Sequence, residues 1–160
     1  MPLRAFSRAS LCFLTTLVVG SVDDRLLTNA HAAGRPAISI GDVKVAEDAG
    51  ASSDAVPELG RALRAALGAE LERATWGTLK RPVVVSATLT QLSSERTKAS
   101  ATISIALSRA DDRVLFAELR GRASVEEASG NLASLRRAAL QGAVHGAVSR
   151  LPEAVQRARP

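Results

Sequence analysis

The sequence predicts an α+β fold: a four-stranded, mainly antiparallel sheet in the order strand, helix, strand, strand, strand, helix, with two helices packed on one face. Three observations predict it. Ala99, Ala101, Ile103, Ile105 and Leu107 alternate strictly with Ser100, Thr102, Ser104, Ala106 and Ser108, the period of two required by a strand with one buried and one wet face. Beyond the polar turn Arg109–Arg113, a second run sets Leu115, Ala117, Leu119, Gly121, Ala123 and Val125 against Phe116, Glu118, Arg120, Arg122 and Ser124, which makes a hairpin. Two flanking segments, one before and one after this region, repeat Leu, Val and Ala every three to four residues, the spacing of helices with one apolar face.

The first 32 residues read as a secretory signal peptide. Arg4 and Arg8 give a positive start, Leu11 to Gly20 is apolar, and Ala30-His31-Ala32 is a small-x-small cleavage site. The apolar stretch is about half the ~20 residues of a membrane-spanning helix, so no transmembrane segment is expected in the mature chain. Asp23, Asp24 and Arg25 lengthen the region before Ala32, which also admits cleavage nearer Gly20. Cys12 stands near the beginning of the apolar stretch rather than after it, so lipidation is not expected. Without residues 1–32 the protein has no cysteine, and its net charge goes from +5 to +4 through the loss of three Arg and two Asp.

Residues 33–36 form a linker, 37–157 a single domain, and 158–160 a tail. The domain opens with a strand, Ile38–Val45, whose inward set changes phase between Ile40 and Val43, a shift that Gly41 permits as a bulge. Glu47–Ser53 is polar and small and reads as a loop. Asp54 is suited to cap a helix that has Pro57 and Glu58 in its first turn. Leu59, Leu63, Leu67 and Leu71 form its buried stripe with Ala62 and Ala66, while Arg61, Arg64 and Arg73 lie off it, and the end is expected near Trp76-Gly77.

Pro82–Leu92 begins as a Val run and then alternates, with Val83, Val85, Ala87 and Leu89 facing inward. After the hairpin and a polar break, Ser129 or Asn131 starts the last helix. One ridge runs through Leu132, Leu135, Ala139, Ala143 and Gly146, a neighbouring one through Leu140, Val144, Leu151 and Val155. The spacing of Gly142 and Gly146 implies close packing on the sheet. Pro152 kinks or restarts this helix, and Gln156–Pro160 is expected to fray.

Composition narrows the function. One Trp, three Phe and no Tyr leave little for stacking on bases, which argues against nucleic acid as a partner. His145 is the single histidine beyond residue 32, so a His-centred triad or His-rich metal site lacks a second member. Neither a Gly-rich phosphate loop nor a Gly-x-Ser-x-Gly elbow occurs. Asp111 and Asp112 sit at a hairpin tip, where a turn role is expected and water keeps the carboxyls near their ordinary pKa. Trp76 reads as a core plug. No catalytic residue, cofactor or metal site follows from these residues, and an enzyme is not expected.

If both helices cover the Ala/Ile/Leu face, the opposite face carries Thr88, Thr90, Ser100, Thr102, Ser104, Ser108, Glu118, Arg120 and Arg122. This is either an ordinary wet face or a docking surface. The arginine excess is spread along the chain, as on a solvated surface; Arg96, Lys98, Arg109, Arg113, Arg120 and Arg122 offer an alternative role in binding an anionic glycan such as lipopolysaccharide or peptidoglycan.

The element order, together with Gly60–Leu71, the pair of runs from Ala101 to Leu115 and the closing Ala-rich helix, resembles small periplasmic domains of bacterial outer-membrane machinery. Over residues 37–155 the chain is similar to the curli-secretion lipoprotein family and the amino-terminal domain of the Tol-system propeller protein, and more loosely to the lipopolysaccharide-assembly lipoprotein. The resemblance implies a non-enzymatic, exported, periplasmic protein acting as an adaptor or assembly accessory on an envelope protein partner. The chain lacks those lipoproteins' anchor cysteine and any pore-forming hairpin, so a secretion channel is not implied. No family site maps onto individual residues, and the oligomeric state stays open.

Overall fold

Eight residues, Ile38–Val45, form β1, and in the computed structural model they pair in parallel with β2, Val83–Ser94. The structure describes residues 38–79, 81–127 and 131–158; the signal peptide and linker expected over 1–36, and Ser129 as a helix start, lie outside them. A parallel pair needs a long crossover rather than a tight turn, and α1, Val56–Arg73, supplies it. Two antiparallel strands follow, β3 (Lys98–Arg109) and β4 (Leu115–Glu126), giving a mixed, open sheet of order β1-β2-β3-β4. The chain closes with α2, Leu132–Val148, and α3, Leu151–Ala158. The α+β architecture with its helices on one face is the one the residue patterns predict.

The core lies between sheet and helices, and its rungs run straight across the strands. Ile40, Val85, Leu107 and Ala117 share one rung, Val43, Ala87, Ile105 and Leu119 the next, and Val45, Leu89, Ile103 and Gly121 the third. Leu63, Leu67 and Leu71 of α1 and Leu135, Ala139, Leu140, Ala143, Val144 and Ala147 of α2 press onto them. The β1 register does shift between Ile40 and Val43, where Gly41 stands.

Several local expectations are corrected. Asp54 does not cap α1; it belongs to a single 3-10 turn, Ser53–Ala55, that runs straight into the helix, and the N-cap Ala55 has no side chain to offer. α1 ends at Arg73, because Ala74 turns extended, so Gly77 caps nothing. Trp76 then folds back, its indole Nε1–H donating to the Leu71 carbonyl at 3.1 Å, half-buried against the core. Leu115 does not face inward: a register shift between Leu107 and Ser108 turns it out to 56% exposure, and Phe116 packs partly inward instead.

Asn131, not a residue before it, caps α2, its Oδ1 accepting from the Ala133 N–H at 2.9 Å. At the other end Pro152 restarts rather than kinks the helix, and Gln156–Ala158 are helical within α3 instead of frayed. The close packing expected of Gly142 and Gly146 holds at Gly142, where a Cβ would stand 2.9 Å from Ala123 Cβ of β4, and not at Gly146, which has nothing within 4 Å; a closer approach is made by Gly121 of β4 against Ala143 and Ala147.

Gly60, inside α1, likewise has open space around its missing side chain. A glycine in a helix interior costs roughly 0.5–1 kcal/mol against alanine. Gly60→Ala is therefore expected to raise the unfolding free energy by about that amount and the melting temperature by a few degrees, which a thermal scan followed by circular dichroism reads directly.

Candidate functional site

With α1, α2 and α3 all on the core side, the other face of the sheet is left without a helix, and strand pairing orders it into rungs. Lys44, Thr88, Ser104 and Arg120 form one, Gln91, Thr102 and Arg122 the next, and Ser93, Ser100 and Ser124 a third. Toward the hairpin tip, Ser86, Ala106 and Glu118 lie together, then Ser39, Val84, Ser108 and Leu115. Eight of the nine residues expected on the open face, Thr88, Ser100, Thr102, Ser104, Ser108, Glu118, Arg120 and Arg122, are thus gathered on one surface.

Thr90 differs. It is the extra residue of a bulge between Leu89 and Gln91, and its hydroxyl donates to the Thr102 carbonyl at 3.1 Å rather than standing in line with Thr88. The bulge keeps the phase right for Leu92, which returns to the core. Ser104 donates to Glu118 Oε1 at 2.6 Å, and Ser93 and Ser100 hydroxyls share a 2.7 Å hydrogen bond. These bonds tie the short side chains to their neighbours across the strands. Beside Val84 the β1 backbone at Gly41 comes so close that a Cβ there would stand 2.6 Å from Val84 Cγ1 and Ser86 Oγ.

Where β2 turns into β3, the face sinks into a depression lined by Ser93, Glu95, Lys98, Ser100, Arg122, Ala123 and Ser124. Two cations and three hydroxyls against one carboxylate suit an anionic group. Ser93 and Ser124 extend the expected set; they were legible from the alternation of β2 and β4 once the β2 bulge is placed. Arg96, Arg109 and Arg113 do not join them. Arg109 pairs with Asp112 at the opposite end of the sheet, 2.6 Å from Nη2 to Oδ2, and Arg113 holds a left-handed backbone with φ 59° in that same turn.

Asp112 does act in the turn, its Oδ1 accepting from the Val114 N–H at 3.0 Å and from Arg109 Nε at 3.1 Å. Its pKa is not left near the ordinary value: the Val114 hydrogen bond first, with Arg109 beside it, lowers it. A stabilised carboxylate is the reverse of a general acid, so the turn role stands on firmer ground. Among the described residues no three His, Cys, Asp or Glu side chains gather as a metal site would need.

His145 lies exposed on α2 and Nδ1–H donates to Glu70 Oε2 of α1 at 2.9 Å, while Arg73 Nη1 donates to Oε1 at 2.8 Å. Glu70 is only 18% exposed, and the hydrogen bond from His145 is the main cause that lowers its pKa below the ordinary 4.5. A depressed carboxylate contributes stability above its unfolded value, and that contribution is lost as pH falls through the folded value. Glu70→Gln is therefore expected to be less stable than the unaltered protein near pH 6, with the gap closing as the pH drops below about 4.5; urea unfolding at a series of pH values reads this.

No family model matches the chain, and no curated protein matches it. Solved structures do. A Xanthomonas campestris protein of the family DUF330 superimposes with a TM-score of 0.51 at 12% identity, covering 76% of this chain and 89% of that one. A PelC variant dodecamer from Paraburkholderia phytofirmans gives 0.48 at 10% identity over 72% of this chain and 85% of that one, and a Caulobacter crescentus CB15 protein classed as a candidate lipoprotein gives 0.44 at 12%, over 76% and 90%. No helix of the described residues is long and apolar enough to cross a membrane. At 12% identity the likeness to the Xanthomonas protein is one of fold alone.

Proposed function

We propose that this protein is a non-catalytic adaptor of the bacterial cell envelope, exported to the periplasm, that docks a partner protein on the open face of its sheet. The observation that carries the reading is the uncovered face itself: ordered rungs of Ser and Thr, bounded on β4 by Glu118, Arg120 and Arg122, on the side of the sheet opposite the apolar core. Interfaces need a flat or complementary surface with few buried unpaired charges, and short hydroxyl side chains supply hydrogen bonds at small entropic cost. Export is supported by the pattern of residues 1–32, and an accessory role by the resemblance of the element order to small periplasmic envelope domains.

The test is in-cell crosslinking of the tagged full chain, followed by envelope fractionation and mass spectrometry. A reproducible envelope protein that disappears when Thr102, Arg120 and Arg122 are replaced together is the expected result. Recovery of free protein alone, with no protein crosslink, sinks the adaptor reading. The depression at Ser93, Lys98, Ser100, Arg122 and Ser124 favours a second reading, in which this corner binds an anionic envelope glycan. That binding would weaken steeply with salt, since exposed charges are screened over about 8 Å at physiological ionic strength.

A further inference from the structure

On the core side, away from the open face, α1 and α2 part at their amino-terminal ends and leave a cleft of about 300 Å³ over the end of β2. Its floor is apolar, made by Leu59, Ala62, Leu92 and Leu140, and Arg136 and Arg137 stand on its α2 wall. Its size is at the lower end of the range for small-molecule pockets, and its make-up, an apolar lining with a few placed polar groups, is the common one. Glu58 is the one carboxylate among the lining residues, so cations outnumber anions.

Arg136 is set in place before any ligand arrives. Both its Nε and one terminal nitrogen donate to Ser94 Oγ, at 3.0 and 2.8 Å, in a half-buried position. Those two hydrogen bonds use two of the five guanidinium N–H groups and leave three for an acceptor. The facing wall is equally fixed: the Leu92 N–H donates to the Ala49 carbonyl at 2.6 Å, and Gly50, at φ 78°, passes so near the Leu92 carbonyl that a Cβ would stand 2.7 Å from it. A pre-organised cationic donor, Arg136, beside an apolar floor favours a ligand with one charged end and one greasy one, because each end alone gains only half of the contacts.

We infer that this cleft binds a slender amphipathic anion, an aliphatic chain ending in a carboxylate, with the head on Arg136 and Arg137 and the chain along Leu59, Ala62 and Leu140. The assignment is independent of the docking face, and its experiment touches none of that face's residues. Decanoate is the probe, titrated into the purified full chain and followed by calorimetry and by amide chemical shifts of Leu92, Ser94 and Leu140. Saturable binding is expected, with acetate and decyltrimethylammonium each at least tenfold weaker.

Arg137→Gln, at an exposed position, is expected to weaken decanoate at least fivefold without altering the fold, and Ala62→Leu to abolish binding by filling the floor. Equal binding of decyltrimethylammonium would show that charge is not read. Unchanged decanoate affinity in both variants would place the ligand elsewhere. Either result overturns the assignment.

Discussion

Gly121→Ala is expected to cost about 3 kcal/mol of stability, far more than the addition of one methyl group suggests. Gly121 lies on the core face of β4, in the rung of Val45, Leu89 and Ile103, directly under α2. A Cβ built there falls well inside van der Waals contact of the Ala143 carbonyl oxygen and 2.9 Å from Ala147 Cβ. The first of these is helix backbone, which cannot rotate away as a side-chain end could. Either α2 lifts from the sheet, opening the packing of Ala139, Ala143 and Ala147, or β4 bends. Overpacking of this kind typically costs 1–3 kcal/mol and sometimes more.

The flanking residues Arg120 and Arg122 point to the open face, so a bent β4 should also disturb the proposed docking surface, visible as amide shifts at Thr102 and Ser104. Urea unfolding should show a lowered midpoint at unchanged slope, with Gly60→Ala as a control that goes the other way. A Gly121→Ala protein within 0.5 kcal/mol of the original would mean that α2 sits farther from β4 than the structure has it.

The contrast between Gly121 and Gly146 shows what residue patterns can and cannot reveal. Period-two alternation is a local property, so the inward set Ala99 to Leu107 and the outward set Ser100 to Ser108 are readable without knowing any partner. The Gly41 bulge was readable too, because the phase of the apolar residues changes across it. Which helix glycine meets the sheet depends on how α2 is rotated and placed over β4, and nothing local in Gly142 or Gly146 carries that.

Slips of one residue explain the remaining errors along the strands. The bulges at Thr90 and beside Leu107 each shift alternation by one, and a one-residue slip exchanges the two faces; hence Leu115 turns outward and Thr90 leaves its row. The contacts that build the cleft and the helix pairing were out of reach for another reason. Arg136 meets Ser94 across 42 residues and His145 meets Glu70 across 75. Such pairs exist only once α2 lies over the end of β2 and beside α1, and single residues of those types are common on any exposed surface.

Ile105→Ala and Ser104→Ala, neighbours on β3, are expected to separate by several kcal/mol. Ile105 has no exposed surface and sits in mid-sheet between Ala87 and Leu119. Removing its outer carbons leaves a void that Ala87 is too small to fill, so the loss falls in the upper part of the usual 2–5 kcal/mol range, at about 4 kcal/mol. Ile105→Val, which removes one carbon, should cost about 1 kcal/mol. Ser104 points the other way, where its loss removes one hydrogen bond to Glu118 from a surface that water reaches, an effect of about 1 kcal/mol or less. Against a total stability of about 5–15 kcal/mol, the first change threatens the fold and the second leaves it intact. Thermal and urea unfolding of the three variants measure the difference. Should Ser104→Ala prove as damaging as Ile105→Ala, the outer face is packed against something, and a surface already covered in the free protein cannot be where a partner docks.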